Sequence, residues 1–201
     1  MQTETEYNEN YAKYQSQKGW LRWYLRTPYL NNVLKHVTGK TIDLGCGTGR
    51  LLSLLPAGSL GLDINPRSIE HCRKIGLDAQ VYDAEDDHFA LSIFKPGVFK
   101  TLTMIHVLEH LTNPVDVLNK LTATCNRLLI DRIIIKIPGK KGFQFDKTHK
   151  TFIDTDFIES NNLTCLNNFK LTESSYFPFN IKVLGNYFTH HELTLVYNRG
   201  N

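Results

Sequence analysis

Short apolar runs alternate with amphipathic segments along most of the chain. Four such runs, at 40–45, 59–64, 78–84 and 99–105, each end in polar or turn residues, a pattern that predicts buried strands. A fifth run, "RIIIKIP", is rich in β-branched residues and ends at Pro138. The chain therefore repeats one short buried unit at similar intervals.

Helices are predicted between these strands. "GRLLSLL" follows the first strand, and "NPRSIEHCRKIGL" follows the second, with Asn65 as its cap and Gly76 as its stop. A third helix begins after the fourth strand, where Asn113 precedes Pro114. Alternating strands and helices at this spacing indicate right-handed crossovers and a parallel sheet.

The last fifty residues follow a different pattern. Residues 164–179 and 191–199 predict two strands that form an antiparallel hairpin at one sheet edge, and a short helix precedes them. We expect an α/β fold with a mostly parallel seven-stranded sheet, helices on both faces and this C-terminal hairpin. Residues 39–201 form one domain in this interpretation, and residues 1–38 form a helical extension.

Composition and charge limit the kind of partner and compartment. The net charge of +3 is close to balance, which gives no general attraction to nucleic acid or membranes. The four cysteines are widely spaced, no secretory leader precedes the polar start, and the apolar runs are too short to span a bilayer. We expect a cytoplasmic protein with reduced thiols and no membrane span; the sequence sets no oligomeric state.

A glycine-rich turn, "IDLGCGTGR", follows the first predicted strand. Asp43 ends the strand, and Gly45, Gly47 and Gly49 permit positive φ and the close approach of a ligand. The turn is expected to present free N–H groups at the start of the next helix. Asp63 ends the second strand, about 20 residues further on, where an acid suits a pair of ribose hydroxyls.

The same turn discriminates between nucleotide cofactors. Its Gly-x-Gly-x-Gly pattern does not match the dinucleotide fingerprint, and no Gly-Lys-Ser/Thr motif follows. Asp43 would repel a phosphate but suits an ammonium group. A ligand with an amino acid at one end and an adenosine at the other fits this combination.

Four motifs together resemble a known family. "IDLGCGTGR", "GLDI", "YDAED" and "MIHVLEHL" are similar, in order and spacing over residues 40–138, to motifs of class I S-adenosylmethionine-dependent methyltransferases, particularly the ubiquinone-biosynthesis-like, or type 11, branch. The resemblance implies a Rossmann-like methyltransferase fold, S-adenosylmethionine as the cofactor, and a methyl-transfer enzyme.

The resemblance also implies which residues lie beside the cofactor. Asp43, Gly45, Cys46 and Gly47 would lie beside the methionine portion of the cofactor. Asp63 would bind the ribose hydroxyls, and Ile64 would pack on adenine. Asp83 and Ala84 would face the adenine edge, and His106 and Val107 would lie beside the cofactor at the end of the fourth strand. An alternative for Asp83 is an acid that only caps a turn.

"HVLEHL" contains His106-x-x-Glu109-His110, the spacing of one class of zinc peptidases. That chemistry needs both histidines on one face of a helix. The preceding "FKTLTMI" predicts a strand, which puts His106 at a strand end and argues against a peptidase. Glu109 and His110 either shape an acceptor pocket or fix the turn, and the sequence leaves both alternatives open.

The acceptor is expected at the loop after the fifth strand, because ligands bind at the carboxyl ends of the strands in open α/β sheets. Asp146 and His149 resemble the Asp-x-x-His segment of many type 11 relatives, in which the histidine faces the acceptor. We predict His149 and His110 as catalytic residues, with His149 as general base or acceptor-orienting group. The alternative for His149 is a hydrogen-bonded loop histidine without a chemical role. Several lysines make this segment basic, which suits a solvated loop, an anionic acceptor or RNA: Lys136, Lys140, Lys141, Lys147 and Lys150.

The favoured activity is O-methylation of a small molecule or saccharide, with nucleic acid disfavoured as a partner. One alternative is a metal-assisted RNA 2′-O-methyltransferase, whose relatives carry Glu-x-x-Glu-His and a later histidine. His106 replaces the first glutamate, which weakens the case for Mg²⁺. We assign no metal ligand, and whether Glu109, His110 and His149 bind a metal stays open. A non-catalytic binding protein is the other alternative, although an intact glycine turn argues against it.

The N-terminal extension carries aromatic residues at helical spacing, with Tyr7, Tyr11 and Tyr14 followed by Trp20 and Trp23. This spacing predicts a packed amphipathic face or a lid over the site. A third alternative is a basic aromatic helix that binds a membrane surface or nucleic acid.

Overall fold

The computed structural model of the protein describes residues 28–200. The aromatic residues of the predicted lid, from Tyr7 to Trp23, lie outside these residues. Of the predicted extension, residues 28–34 are helical and are called α1 here.

One mixed sheet of eight strands organises the described chain, in the order β3-β2-β1-β4-β5-β8-β7-β6. The first five strands pair in parallel, and the last three are antiparallel. The sheet confirms the predicted fold, including the C-terminal hairpin. The eighth strand arises because the segment 164–179 turns after two paired residues. The strands are β1 Thr41–Leu44, β2 Leu60–Asp63, β3 Ala79–Val81, β4 Thr101–Ile105, β5 Arg132–Pro138, β6 Cys165–Leu166, β7 Phe169–Phe177 and β8 Glu192–Arg199.

Four further helices begin where the sequence provides a cap or a suitable turn. They are α2 Pro66–Lys74, α3 Pro114–Arg127, α4 Lys140–Phe145 and α5 Thr155–Ser160. The side chains of Asn65, Asn113 and Asp154 accept hydrogen bonds from backbone N–H groups in the first turns of α2, α3 and α5. Gly76, with φ of 81°, lies just beyond α2, as expected for a C-terminal stop.

The prediction of a helix directly after β1 is wrong. The segment contains only a 3-10 turn, Leu52–Leu54, between stretches of irregular turn. Gly45, Gly47 and Gly49 all adopt positive φ, which is incompatible with a right-handed helix, and Pro56 then interrupts the segment. Too few residues remain between these constraints for a regular helix.

Side chains alternate between the two faces of the sheet, and helices cover both. Ile133 and Ile135 of β5 lie in the main core with Leu121 of α3. Ile134 faces the other way and lies in a smaller cluster with Val33 of α1. Apolar packing therefore fills both faces of the sheet.

Two further observations concern the cysteines and the lengths of the helices. All four cysteines are free thiols, and three of them are buried. Within residues 28–200, none of the helices has the length and apolar character needed to cross a membrane.

Leu102 is fully buried in the central strand β4. We expect Leu102→Ala to lower the free energy of unfolding by about 2–5 kcal/mol, because the substitution removes buried apolar surface and leaves a cavity. Urea denaturation measures this change. Leu54→Ala is the matched control, because Leu54 is 41% exposed and should lose much less. Equal losses for the two variants would contradict this packing.

Candidate active site

Asp43 is buried at the carboxyl end of β1, with only 2% of its surface exposed. It lies opposite Thr103 of β4, whose hydroxyl donates to Asp43 Oδ1 at 2.7 Å. Burial raises the pKa of Asp43 to about 7; the Thr103 hydrogen bond opposes this rise, and the negative charge of Asp63 adds to it. Thr103 was not among the predicted site residues, although a polar residue inside a buried strand indicates a polar partner nearby.

The glycine turn binds to the neighbouring strand through its own backbone. The N–H groups of Gly45 and Cys46 donate to Leu62 O at 2.8 and 3.0 Å. The expectation of free N–H groups is therefore wrong for these residues. Gly45 has φ of 79°, and a β-carbon added there would lie 2.2 Å from Val107 Cγ2. Glycine at this position lets Val107 pack directly over the turn.

Asp63 connects the glycine turn to the start of α2. Its Oδ2 accepts from Gly47 N and its Oδ1 from Asn65 N, both at 2.8 Å. Burial raises the pKa of Asp63, and these two hydrogen bonds oppose the rise. The next residue, Ile64, is 64% exposed and offers an apolar surface beside the carboxylate.

Asp83 and Ala84 lie in a turn beyond β3. Asp83 Oδ1 accepts from the N–H groups of Glu85 and Asp86 at 2.9 and 3.2 Å, which is the turn-capping arrangement. Ala84 O accepts from Phe89 N at 2.7 Å. Contact of either residue with an adenine edge stays a prediction.

The segment after β4 is not a continuous helix. His106 follows the strand with φ of 56°, and only Leu108–His110 form a 3-10 turn. This agrees with the sequence argument against a zinc peptidase, since His106 and His110 do not share a helix.

The His106 imidazole lies between two buried carboxylates. Its Nδ1 is 3.1 Å from Glu109 Oε1, and its Nε2 is 3.3 Å from Glu192 Oε1. Tyr29 of α1 stacks on the ring and contacts Nε2 through its hydroxyl. Burial opposes the charged form, but Glu192 and Glu109 outweigh it and raise the pKa of His106 to about 10. His106 is therefore a cation near neutral pH, although its side chain remains 36% exposed.

Lys136 of β5 belongs to the same network and not to the basic surface to which the sequence assigned it. Its buried Nζ donates to Asn32 Oδ1 at 3.1 Å and lies 3.8 Å from Glu192 Oε2. Burial lowers its pKa to about 8, and Glu192 opposes this effect. The other lysines of the basic segment are exposed: Lys140, Lys141, Lys147 and Lys150.

Three residues of this network escaped prediction, namely Tyr29, Asn32 and Glu192. A charged residue at the start of an otherwise apolar strand was the available signal for Glu192. Nothing local to α1 indicated that Tyr29 and Asn32 reach β4 and β5, because those contacts join residues far apart in the chain.

The two predicted catalytic histidines lie together. The rings of His110 and His149 have centroids 4.7 Å apart. His149 Nδ1 is 2.9 Å from Phe143 O, and its Nε2 is 3.9 Å from Glu109 Oε1. The carbonyl of Glu109 accepts from Lys150 N at 2.8 Å, which ties the 3-10 turn to the loop carrying His149.

Comparison with known proteins identifies the fold. Residues 42–127 match a family model described as "Methyltransferase domain". The structure is similar to a SAM-dependent methyltransferase from Archaeoglobus fulgidus, with a TM-score of 0.62 and 17% identity, covering 88% of this chain and 94% of that one. The described chain therefore has the class I methyltransferase fold. The structure is also similar to magnesium protoporphyrin IX methyltransferase from Synechocystis with bound SAM, with a TM-score of 0.57 and 13% identity, covering 100% of this chain and 86% of that one.

Part of the sequence is also similar to curated enzymes. The ubiquinone biosynthesis O-methyltransferase of Methylococcus capsulatus is 34% identical over 96 residues, which cover 44% of this chain and 38% of the relative. The chain thus spans less than half the length of the curated relatives that it matches.

The raised pKa of Asp43 gives this protein a pH-dependent stability. Its usual value is near 3.8, so between about pH 4 and 7 the folded state binds more protons than the unfolded state, and stability falls as pH rises through this window. We expect Asp43→Asn to raise the free energy of unfolding, relative to the parent protein, more at pH 8 than at pH 5.

Urea unfolding at both pH values measures this difference. Asp78→Asn is the control, because Asp78 is exposed and the chemical change is the same. A difference between Asp43→Asn and the parent that is the same at both pH values would show that Asp43 does not titrate in this window.

Proposed function

We propose that the chain is an S-adenosylmethionine-dependent methyltransferase that transfers a methyl group to an oxygen of a small molecule or saccharide. The observation that carries this proposal is the turn after β1. There Asp43 is buried at the strand end, Asp63 closes the glycine turn, and Ile64 is exposed beside it. The similarity to S-adenosylmethionine-dependent enzymes supports the same conclusion.

The turn offers complementary groups for each part of this cofactor. An ammonium group near Asp43 would favour its ionised form and relieve the cost of burying that carboxylate. Each Asp63 oxygen accepts one backbone N–H and keeps further lone-pair capacity for ribose hydroxyls. The exposed side chain of Ile64 would pack against adenine, and Val107 would limit the space over Gly45.

Methyl transfer is an in-line displacement, so most of the catalytic effect comes from aligning the acceptor oxygen with the methyl carbon. The new C–O bond forms as the C–S bond breaks, its electron pair stays on sulfur, and the hydroxyl proton must leave. His110 and His149 are the groups we assign to this part of the reaction. Because His149 Nδ1 faces a carbonyl, it must carry the proton, which leaves a lone pair on Nε2.

A small-molecule acceptor agrees with the name of the relatives, which are ubiquinone biosynthesis O-methyltransferases. Exposed lysines on α4 and the following loop would favour an acceptor with an anionic group, and nucleic acid is disfavoured by the near-balanced net charge.

The proposal also includes a cytoplasmic location and a lid formed by residues 1–38. Within the described part of that segment, Tyr29 contacts His106.

Calorimetric titration with S-adenosylmethionine tests the cofactor assignment. We expect saturable binding at one site, and we expect Asp63→Asn to weaken it at least tenfold, because the amide cannot replace both carboxylate acceptors. Asp78→Asn should bind like the parent protein. A folded sample that binds neither S-adenosylmethionine nor S-adenosylhomocysteine would overturn the proposed function.

A panel of phenols, sugars, carboxylate-bearing alcohols and a short RNA tests the acceptor class through the formation of S-adenosylhomocysteine. On the best acceptor, we expect His149→Ala to lower turnover by about 10²-fold or more, the range of a lost acid-base or orienting group, without weakening cofactor binding. His71→Ala is the control, because His71 is exposed on α2. Unchanged turnover in His149→Ala would remove His149 from the mechanism, and turnover on RNA alone would contradict a small-molecule acceptor.

A further inference from the structure

Three side chains that can bind a metal lie close together, namely Glu109, His110 and His149. One potential ligand atom from each lies within 4.8 Å of the other two. Atoms bound to one tetrahedral cation at the usual zinc bond lengths lie roughly 3.3 Å apart, so small side-chain movements would complete the geometry. Glu109 and His110 come from the turn after β4, and His149 comes from the loop after α4.

Glu109 supplies a second, independent observation. Only 1% of its surface is exposed, and its Oε1 is already paired with His106 Nδ1 at 3.1 Å. Its other oxygen, Oε2, is buried and makes no hydrogen bond within the described chain. A buried carboxylate oxygen without a partner is costly, and a bound cation would remove that cost.

The histidine tautomers suit metal binding. His149 Nδ1 faces Phe143 O at 2.9 Å, so this nitrogen carries the proton and Nε2 keeps its lone pair. His110 Nδ1 is 3.1 Å from Thr148 Oγ1, and that hydroxyl donates its own proton to Asp146 Oδ1 at 2.7 Å. His110 must therefore donate from Nδ1, which also leaves its Nε2 unprotonated.

This arrangement is the usual support for metal-bound histidine, in which the distal nitrogen donates to a carbonyl or to a carboxylate-linked group. His106 differs, because neither of its nitrogens is free for a metal: Nδ1 faces Glu109 Oε1 and Nε2 faces Glu192 Oε1. His106 is thus a partner of Glu109 and not a further ligand.

We propose that Glu109 Oε2 and the Nε2 atoms of His110 and His149 bind one divalent first-row transition cation, such as Zn²⁺, Mn²⁺ or Fe²⁺. Two imidazoles and one carboxylate favour these ions over Mg²⁺ and Ca²⁺, which prefer oxygen ligands. Three protein ligands leave at least one position open, as in catalytic metal sites.

The site lies beside the proposed cofactor turn, because Glu109 is two residues beyond Val107, which packs over Gly45. The role of the cation rests on the proposed function. With the cation bound, His110 and His149 would act as ligands and not as bases. The acceptor hydroxyl would take the open position, where the cation lowers its pKa so that its proton passes to solvent. The oxygen would then bond to the methyl carbon as the C–S bond breaks and its electron pair remains on sulfur.

Cobalt binding to the full chain tests the site without measuring turnover. After treatment with a chelator and its removal, titration with Co²⁺ should show one equivalent bound, visible absorption bands and their loss on addition of Zn²⁺. We expect Glu109→Gln and His149→Ala each to weaken Co²⁺ binding at least tenfold. Thr148→Val keeps the three ligands but removes the acceptor for His110 Nδ1, and should weaken binding about tenfold.

His71→Ala is the matched control, and it should bind Co²⁺ like the parent protein because His71 is exposed on α2. Circular dichroism and S-adenosylmethionine titration show that each variant is folded. Co²⁺ binding that is equal in the parent protein, Glu109→Gln and His149→Ala would overturn the proposed site. Cofactor binding should survive chelation, so loss of Co²⁺ binding alone contradicts the metal site, whereas failure to bind S-adenosylmethionine contradicts the proposed function.

Discussion

The charge on His106 compensates two carboxylates that the fold buries at the carboxyl end of the sheet. Glu109, from the turn after β4, and Glu192, from the start of β8, each place an oxygen 3.1–3.3 Å from this imidazole. Buried carboxylates without such a partner would be strongly destabilising. Tyr29 and Lys136 extend the network, so α1, β4, β5 and β8 are linked through one group of charges.

The candidate site has two parts that meet where the strand order reverses. β1 and β2 hold Asp43 and Asp63, the groups proposed for the cofactor, and β4 and β5 lead into the segments that carry the three proposed metal ligands. Crevices at such reversals are the usual ligand sites of open α/β sheets. Val107 joins the two parts, because it packs over Gly45 and is followed directly by the turn containing Glu109. This proximity would bring methyl donor and acceptor together.

Local features of the sequence predicted most of the secondary structure. Asn65 and Asn113 cap the helices they were expected to cap, and the β-branched run before Pro138 forms β5. The helix predicted after β1 does not form, because the three glycines of this turn adopt positive φ, which the apolar spacing alone does not reveal. The N–H groups of the same turn donate hydrogen bonds to Leu62 O of β2. These bonds depend on which strand lies beside β1, and the sequence of the turn does not contain that information.

The sequence by itself determined the order of strands and helices, the glycine turn and the placement of Asp43 and Asp63 at strand ends. These features depend on residues a few positions apart, where periodicity, caps and turn preferences act. Only the tertiary structure decided that Lys136 is buried against Glu192 and that His149 lies beside His110. Such contacts join distant segments, and their energy depends on which strands become neighbours and on which charges are removed from water together.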